Sequence, residues 1–332
     1  MSGRISAIAG YVPERLVTNE ELAKTVDTSD EWIVSHTGIR ERRIAGDDVA
    51  ASDLGIAAAQ KVLAQAGVDP TRIDMVIAAT STPDYAPFPA TASIIQDRLG
   101  CSDAGAFDLQ AGCTGFVYGL EVAGGLLAGG GAEKVLLIGT EKLTSITNWA
   151  DRSTCVLFGD GAGAALLEAE PADGSTLEGA RVLGSHLRSD GGGDTALIRK
   201  LGGSRHPFNP AAQTEAETKL SMDGKRVYLF AVDAIVKTIK KLTEANGVGL
   251  DALRWIVPHQ ANIRIIEAAA KRLHISPDRF YTNLDRYANT SAASIPLALV
   301  EMVDEGVLVS GDLIVTVGFG AGLTYGGNLI RW

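Results

Sequence analysis

The chain has 332 residues, two domains' worth at roughly 150 residues each, and its 46% hydrophobic and 21% charged residues are ordinary for a protein with a substantial core. Forty acidic against 30 basic residues give a net charge of −10, which argues against nucleic-acid partners, and no apolar run approaches the roughly 18 residues of a membrane span. Glycine is the outlier at 38 residues; without a G-X-Y period and with only 11 prolines the excess is not collagen-like, and its setting among Val, Ile, Leu and Ala argues against disorder.

Residues 1–8 lack the apolar core of a signal peptide, and Cys101, Cys113 and Cys155 are too widely spaced for a disulfide framework or a zinc motif. A soluble, reduced, cytoplasmic protein is expected. Along 51–66, Leu54, Ala58, Val62 and Leu63 recur at helical spacing, Gly67 ends the helix, and 73–79 follows as a buried strand. Residues 107–112 lead into Cys113 and a glycine-punctuated apolar helix, and 134–139 is the next strand. A boundary is expected within 170–185, around Pro171-Ala172-Asp173-Gly174-Ser175. Residues 189–203, with Pro207 and Pro210 beyond them, read as an irregular loop. Ile235, Ile239 and Leu242 then mark a helix over 227–245, closed by Gly247 and Gly249. A strand over 253–257 precedes His259, Asn289 opens another helix, and a strand over 312–318 runs into the glycine-rich 318–322.

The second series repeats the first. Val76 aligns with Ile256, Leu136 with Ile314 and Cys113 with Asn289, three offsets within four residues of one another. That regularity predicts an internal duplication with two similar α/β halves, 1–175 and 176–332, whose equivalent loops face one cleft.

Chemistry in α/β folds sits at strand ends and helix starts. Those places hold Cys113, His259 and Asn289: a nucleophile, a proton-handling ring and an amide donor. A cysteine at a helix N-terminus is expected to gain thiolate character. Cys101, Cys155, His186, His206 and His274 read as core or surface residues. Gly159-Asp160-Gly161-Ala162-Gly163 lacks the last interval of a dinucleotide fingerprint, and 112–115 lacks a phosphate-loop lysine. The order Cys, His, Asn also occurs in papain-like proteases, but their nucleophile signature is absent here.

Several blocks in order carry a more specific likeness: Ser29-Asp30-Glu31-Trp32-Ile33-Val34, Thr37-Gly38-Ile39-Arg40-Glu41-Arg42, Ala111-Gly112-Cys113-Thr114-Gly115-Phe116, Phe158-Gly159-Asp160-Gly161-Ala162-Gly163, His259-Gln260-Ala261-Asn262, Asn289-Thr290-Ser291-Ala292-Ala293-Ser294 and Gly318-Phe319-Gly320-Ala321-Gly322. With these the chain resembles the β-ketoacyl-acyl-carrier-protein synthase III family of thiolase-like condensing enzymes. The resemblance implies an α/β thiolase-like fold of five layers, αβαβα, from two duplicated halves, and a homodimer without metal or cofactor. It implies that Cys113 takes an acyl group from acyl-CoA, acetyl-CoA first. Malonyl-acyl-carrier protein would then lose CO₂ and condense to a 3-oxoacyl product, the initiating step of type II fatty-acid synthesis.

By the same resemblance the backbone N–H groups of Cys113 and Ala321 form the oxyanion hole, and His259 and Asn289 donate to the developing enolate. The glycines of 318–322 would let that backbone approach the thioester oxygen. Trp32 and Arg152 flank adenine, with His36 where relatives carry Arg. Leu143, Phe158, Leu220 and Met222 line the acyl pocket, Phe88 reaches in across the dimer, and Phe319 sits near the catalytic residues. Lys225, where Asn is usual, lies near the channel, which residues 185–220 should border. Gln260, Ala261, Asn262, Ile263 and Arg264 would meet the pantetheine arm and the carrier protein, with Lys271 and Arg272 extending the basic helix face. A secondary-metabolism acyltransferase or condensing enzyme of the same fold, and a non-catalytic carrier-binding subunit, remain the alternatives.

Overall fold

Alternating and helical apolar periods take turns along the chain, and each becomes a strand or a helix in the computed structural model, which describes residues 3–170, 178–209 and 214–332. Strands β1 (Gly3–Tyr11), β2 (Met75–Ala79), β3 (Gly105–Leu109), β4 (Lys134–Lys142), β5 (Asp160–Ala169), β6 (Ala180–Ser189), β7 (Trp255–Pro258), β8 (Leu313–Gly320) and β9 (Thr324–Arg331) hydrogen-bond in the order β7-β8-β9-β6-β1-β5-β4-β2-β3. β2 runs parallel to β3 and β4, and β7 runs parallel to β8; the other pairs are antiparallel. At the middle, β1 meets β6 through only Arg4–Arg181 and Ile5–Ala180. The array therefore behaves as two sheets joined at a short seam.

Seven helices position the site: α1 (Asp30–Thr37), α2 (Ala51–Ala66), α3 (Thr91–Leu99), α4 (Gly115–Ala128), α5 (Gly224–Ala245), α6 (Ile263–Leu273) and α7 (Ser294–Asp304). Successive strand residues point to opposite faces. Val76, Ala78, Leu136 and Ile138 accordingly pack with Leu54, Val62 and Ile95 of α2 and α3. From the other face Ile77 and Leu137 join Phe116 and Leu120 of α4, Ile295 and Leu299 of α7, and Ile314 and Ile330 of the second sheet. Val315, Val317 and Leu329 turn outward onto Ile235, Ile239, Ile265 and Ile266 of α5 and α6. The result is five layers, α2/α3, sheet, α4/α7, sheet, α5/α6, as expected. α4 and α7 are apolar on nearly every side because they are sandwiched between the sheets.

The two halves present the same order of elements, strand–helix–strand–helix–strand–helix–strand–strand. In the second half the counterpart of β3 shrinks to one parallel bridge, Ile256–Phe280. The boundary expected around Pro171-Ala172-Asp173-Gly174-Ser175 lies outside the described residues, as does Pro210. The 227–245 helix begins earlier, at Gly224, because the Asp223 side chain caps it by accepting from Arg226 N–H. The 189–203 stretch is less irregular than expected, since Leu197–Arg199 pairs with Leu220–Met222. Among the described residues no helix is long and apolar enough to cross a membrane.

Candidate active site

Cys113 sits in a 3-10 turn, Gly112–Thr114, between β3 and α4. His259 follows β7, its N–H bonded to Val317 O of β8 at 2.8 Å. Asn289 is held between Leu157 O and Gly159 N, at 2.9 and 3.0 Å, just before the turn that leads into α7. Two backbone segments meet at the sulfur with no room for side chains. A Cβ on Gly320 would lie 2.7 Å from the Cys113 nitrogen, and one on Gly112 (φ +53°) would lie 3.0 Å from the Ala321 nitrogen. This changes the expected purpose of the 318–322 glycines. Gly318 and Gly320 belong to β8 and make room for Thr114 and Cys113, so the close approach is between protein segments.

The backbone N–H groups of Cys113 and Ala321 and the Ser291 hydroxyl face the sulfur and favour its thiolate. Burial outweighs them, and the negative charge of Glu141 adds to it, so the thiol is pushed up to about 11. The expectation of a helix-activated resting thiolate is therefore corrected: the resting group is a thiol. Burial likewise pulls His259 down to about 3, leaving a neutral imidazole. Its Nδ1 lies 2.7 Å from Ser294 Oγ, which accepts from Gln260 N–H at 3.4 Å. A Ser294 hydroxyl donating to Nδ1 would put the imidazole proton on Nε2, as a donor. Asn289 Oδ1 accepts from Ser291 N–H at 2.9 Å, which leaves its amide nitrogen as the donating end.

Cys113, His259, Asn289, Phe319 and Gly320 line one cavity of about 280 Å³, together with Trp32, His36, Phe158, Met222, Ala261 and Asn262. At the Trp32 end His36 stacks on the indole at 4.4 Å and the Arg152 guanidinium lies 4.9 Å from the ring. Asn262 ties this end to the rest by donating to His36 O at 3.0 Å. Leu143 and Leu220 pack with Phe158 beside the cavity. Among the described residues no three His, Cys, Asp or Glu side chains gather into a metal-holding group.

Other expected residues lie elsewhere. Lys225 is exposed in the first turn of α5 and does not line the cavity. Phe88 is 79% exposed within this chain. Gln260 is corrected as a carrier-contact residue: it is 1% exposed, donating to Pro258 O and Tyr281 O and accepting from Asn283 N–H, so it braces the loop from inside. Arg264, Lys271 and Arg272 are exposed on α6, with Arg272 paired to Asp233 at 3.2 Å. Ser291, Ser294 and Glu141 were missed. The first two sit inside the quoted Asn289 block, and Glu141 is an acid that follows the apolar run 135–138 in a strand buried from 135 to 141.

Residues 107–191 match the family described as 3-oxoacyl-(acyl-carrier-protein) synthase III, and residues 243–332 match its C-terminal part. The chain is 46% identical over 328 residues to a β-ketoacyl-(acyl-carrier-protein) synthase III of Symbiobacterium thermophilum, covering 99% of this chain and 97% of that protein. A crystal structure of 3-oxoacyl-(acyl carrier protein) synthase III from Pseudomonas aeruginosa PAO1 is similar with a TM-score of 0.90 and 41% identity, over 100% of this chain and 98% of that one. The priming β-ketosynthase of the R1128 polyketide pathway is similar with a TM-score of 0.86 and 35% identity, over 99% and 96%.

Proposed function

The chain belongs to the 3-oxoacyl-(acyl-carrier-protein) synthase III family, and from that premise we propose that it condenses an acyl-CoA primer, acetyl-CoA first, with malonyl-acyl-carrier protein to begin type II fatty-acid synthesis. The carrying observation is one cavity that joins the Cys113 thiol to two uncharged donors, His259 and Asn289, under an indole–guanidinium pair. Cys113 sulfur attacks the thioester carbonyl. The oxyanion is met by the N–H groups of Cys113 and Ala321, and the departing CoA thiolate takes up the proton that the cysteine loses. Loss of CO₂ from the malonyl group then leaves an enolate whose oxygen accepts from His259 Nε2–H and the Asn289 amide. Its carbon attacks the acyl-enzyme and releases Cys113. A neutral imidazole suits this role, because it donates without first having to be charged.

Trp32, Arg152 and His36 would hold the adenine end of CoA. Leu143, Phe158, Leu220 and Met222 would receive the acyl chain. The exposed Phe88 fits a residue completed by a second copy, and a cytoplasmic homodimer is part of the proposal. The likeness to a priming β-ketosynthase of a polyketide pathway favours a second reading, a condensing enzyme of secondary metabolism with a different acyl donor. Intact-mass measurement after mixing with acyl-CoAs of increasing length decides between them. One acyl group should add, acetyl-CoA reacting fastest, and Cys113→Ala should abolish the adduct. An adduct that persists in Cys113→Ala would sink the nucleophile assignment, and a preference for long donors would favour the second reading.

The basic face of α6 carries the second test. An acidic enzyme needs a local positive patch to dock an acidic carrier. Reversing Arg264 and Lys271 together to Glu should raise the KM for malonyl-carrier about tenfold or more, leaving acylation by acetyl-CoA within about twofold. Equal loss in both steps would place the carrier elsewhere.

A further inference from the structure

The hairpin that joins β8 to β9 carries Ala321 in a turn of three residues, 321–323, with Gly320 and Thr324 paired across its base. One side of this turn is tied to the residue after β6. Leu323 N–H donates to Asp190 O at 3.0 Å, and Asp190 N–H donates to Leu323 O at 2.8 Å. The other side lies against the Cys113 turn, so closely that a Cβ on Gly112 would be 3.0 Å from both the nitrogen and the oxygen of Ala321. Two hydroxyls join the segments there. Thr324 Oγ1 lies 2.8 Å from Ala111 O and 2.9 Å from Thr114 Oγ1 across the contact, and 3.0 Å from Ala321 O on its own side. Thr114, fully buried, reaches Ala111 O through its hydroxyl at 2.5 Å.

Carbonyl oxygens only accept, so the two hydroxyl protons are shared among Ala111 O, Ala321 O and the contact between the hydroxyls. Each of these carbonyls belongs to the peptide unit next to one of the two N–H groups assigned to the oxyanion. Ala111 C=O precedes the peptide that carries Cys113 N–H, and Ala321 C=O follows the peptide that carries Ala321 N–H. Peptide units are planar and turn only about the two torsions at each Cα, so holding the carbonyls together restricts where both N–H groups point. We infer that Thr324, backed by Thr114, is a positioning residue that sets the spacing and aim of the two backbone donors. It does not line the cavity, so it acts through the backbone rather than on the substrate. Donors fixed in advance need no reorientation as charge develops, and a hydroxyl clamp fixes them without placing a charge beside the thioester. The inference rests on the acyl-transfer reading above. A single hydrogen bond contributes only about 1 kcal/mol to stability, whereas misaligning reacting groups by about 1 Å costs about a hundredfold in rate, so the larger effect is expected in the kinetics.

The test is single-turnover acylation of the intact enzyme by acetyl-CoA, followed as the mass added to Cys113. Beside it, malonyl-carrier decarboxylation is measured on enzyme acylated beforehand. Thr324→Val keeps the branched shape and removes the hydroxyl, and acylation should slow about tenfold or more. Decarboxylation, which draws on His259 and Asn289 in the proposed mechanism, should stay within about threefold. Thr324→Ser restores the hydroxyl without the methyl group and should return acylation to within about threefold of the parent. Lost packing alone would slow both steps together and would not be mended by serine, whose side chain is smaller still. A folded Thr324→Val enzyme acylating at the parent rate, equal losses in the two steps, or no recovery with serine would each overturn the inference. If Thr324→Val does not fold, Thr324→Ala set against Thr324→Ser decides in the same way, the two differing by the hydroxyl alone. An adduct that persists in Cys113→Ala would instead sink the acyl-transfer reading itself, so the two ideas fail on different measurements.

Discussion

With His259 replaced by alanine, condensation should fall about a thousandfold, while acyl transfer from acetyl-CoA to Cys113 stays within about threefold of the parent rate. The split follows from where charge develops. In the proposed acyl transfer the oxyanion would face the backbone N–H groups of Cys113 and Ala321, which the substitution leaves in place. In the proposed decarboxylation the enolate oxygen would depend on two side-chain donors, and a donor fixed in a buried site contributes far more than one in water. His259 is so fixed: 1% exposed, edge-on to Phe319 with ring centroids 5.1 Å apart, and held through Nδ1 by Ser294. Asn289→Ala should show the same split, since its amide is aimed by Ser291 N–H on Oδ1. Single-turnover acylation and malonyl decarboxylation by pre-acylated enzyme separate the two steps.

The same reasoning sets a pH dependence. A histidine pulled down to about 3 does not change charge anywhere in the neutral range. Decarboxylation by the acylated enzyme should therefore show no inflection near pH 6.5, about where a free histidine titrates. A rate lost as pH rises through about 6.5 would mean that the ring works as a cation.

Gly320→Ala should cost about 1–3 kcal/mol of stability and slow acylation about a hundredfold or more. The added Cβ would sit 2.7 Å from the Cys113 nitrogen, 2.9 Å from its Cβ and 3.0 Å from its sulfur. Two of these three atoms cannot rotate away, so the turn or the strand must shift, and the two N–H donors part. Gly125→Ala is the matched control: its Cβ meets nothing within 4 Å on an exposed position inside α4. Relief of backbone entropy should make that variant more stable by about 0.5–1 kcal/mol with unchanged activity. Chemical denaturation and single-turnover acylation of the pair measure both effects. A well-folded Gly320→Ala enzyme acylating at the parent rate would show that the segments have slack that the packing denies.

Much of this architecture was legible because local pattern and final burial coincide. The 51–66 helix and the 73–79 strand could be read from apolar spacing, and Leu54, Val62, Val76 and Ile77 are all buried as that spacing requires. Cys113, His259 and Asn289 stood out because each falls at an element end in matching positions of two series. Helix and strand starts were set by groups that periodicity does not register, as with the Asp223 cap of α5.

The sequence alone therefore determined the elements, their recurrence in two halves and the three residues of the candidate site, since these depend on side chains within a few positions of one another. Only the tertiary structure decided what state those residues are in. Proximity to a helix start favours a thiolate; burial between two sheets, with Glu141 nearby, makes Cys113 a thiol. It also decided what the glycines are for, because Gly112 and Gly320 are needed at a contact between segments about 200 residues apart. Desolvation and close approach depend on what surrounds an atom in three dimensions, and a one-dimensional pattern carries neither.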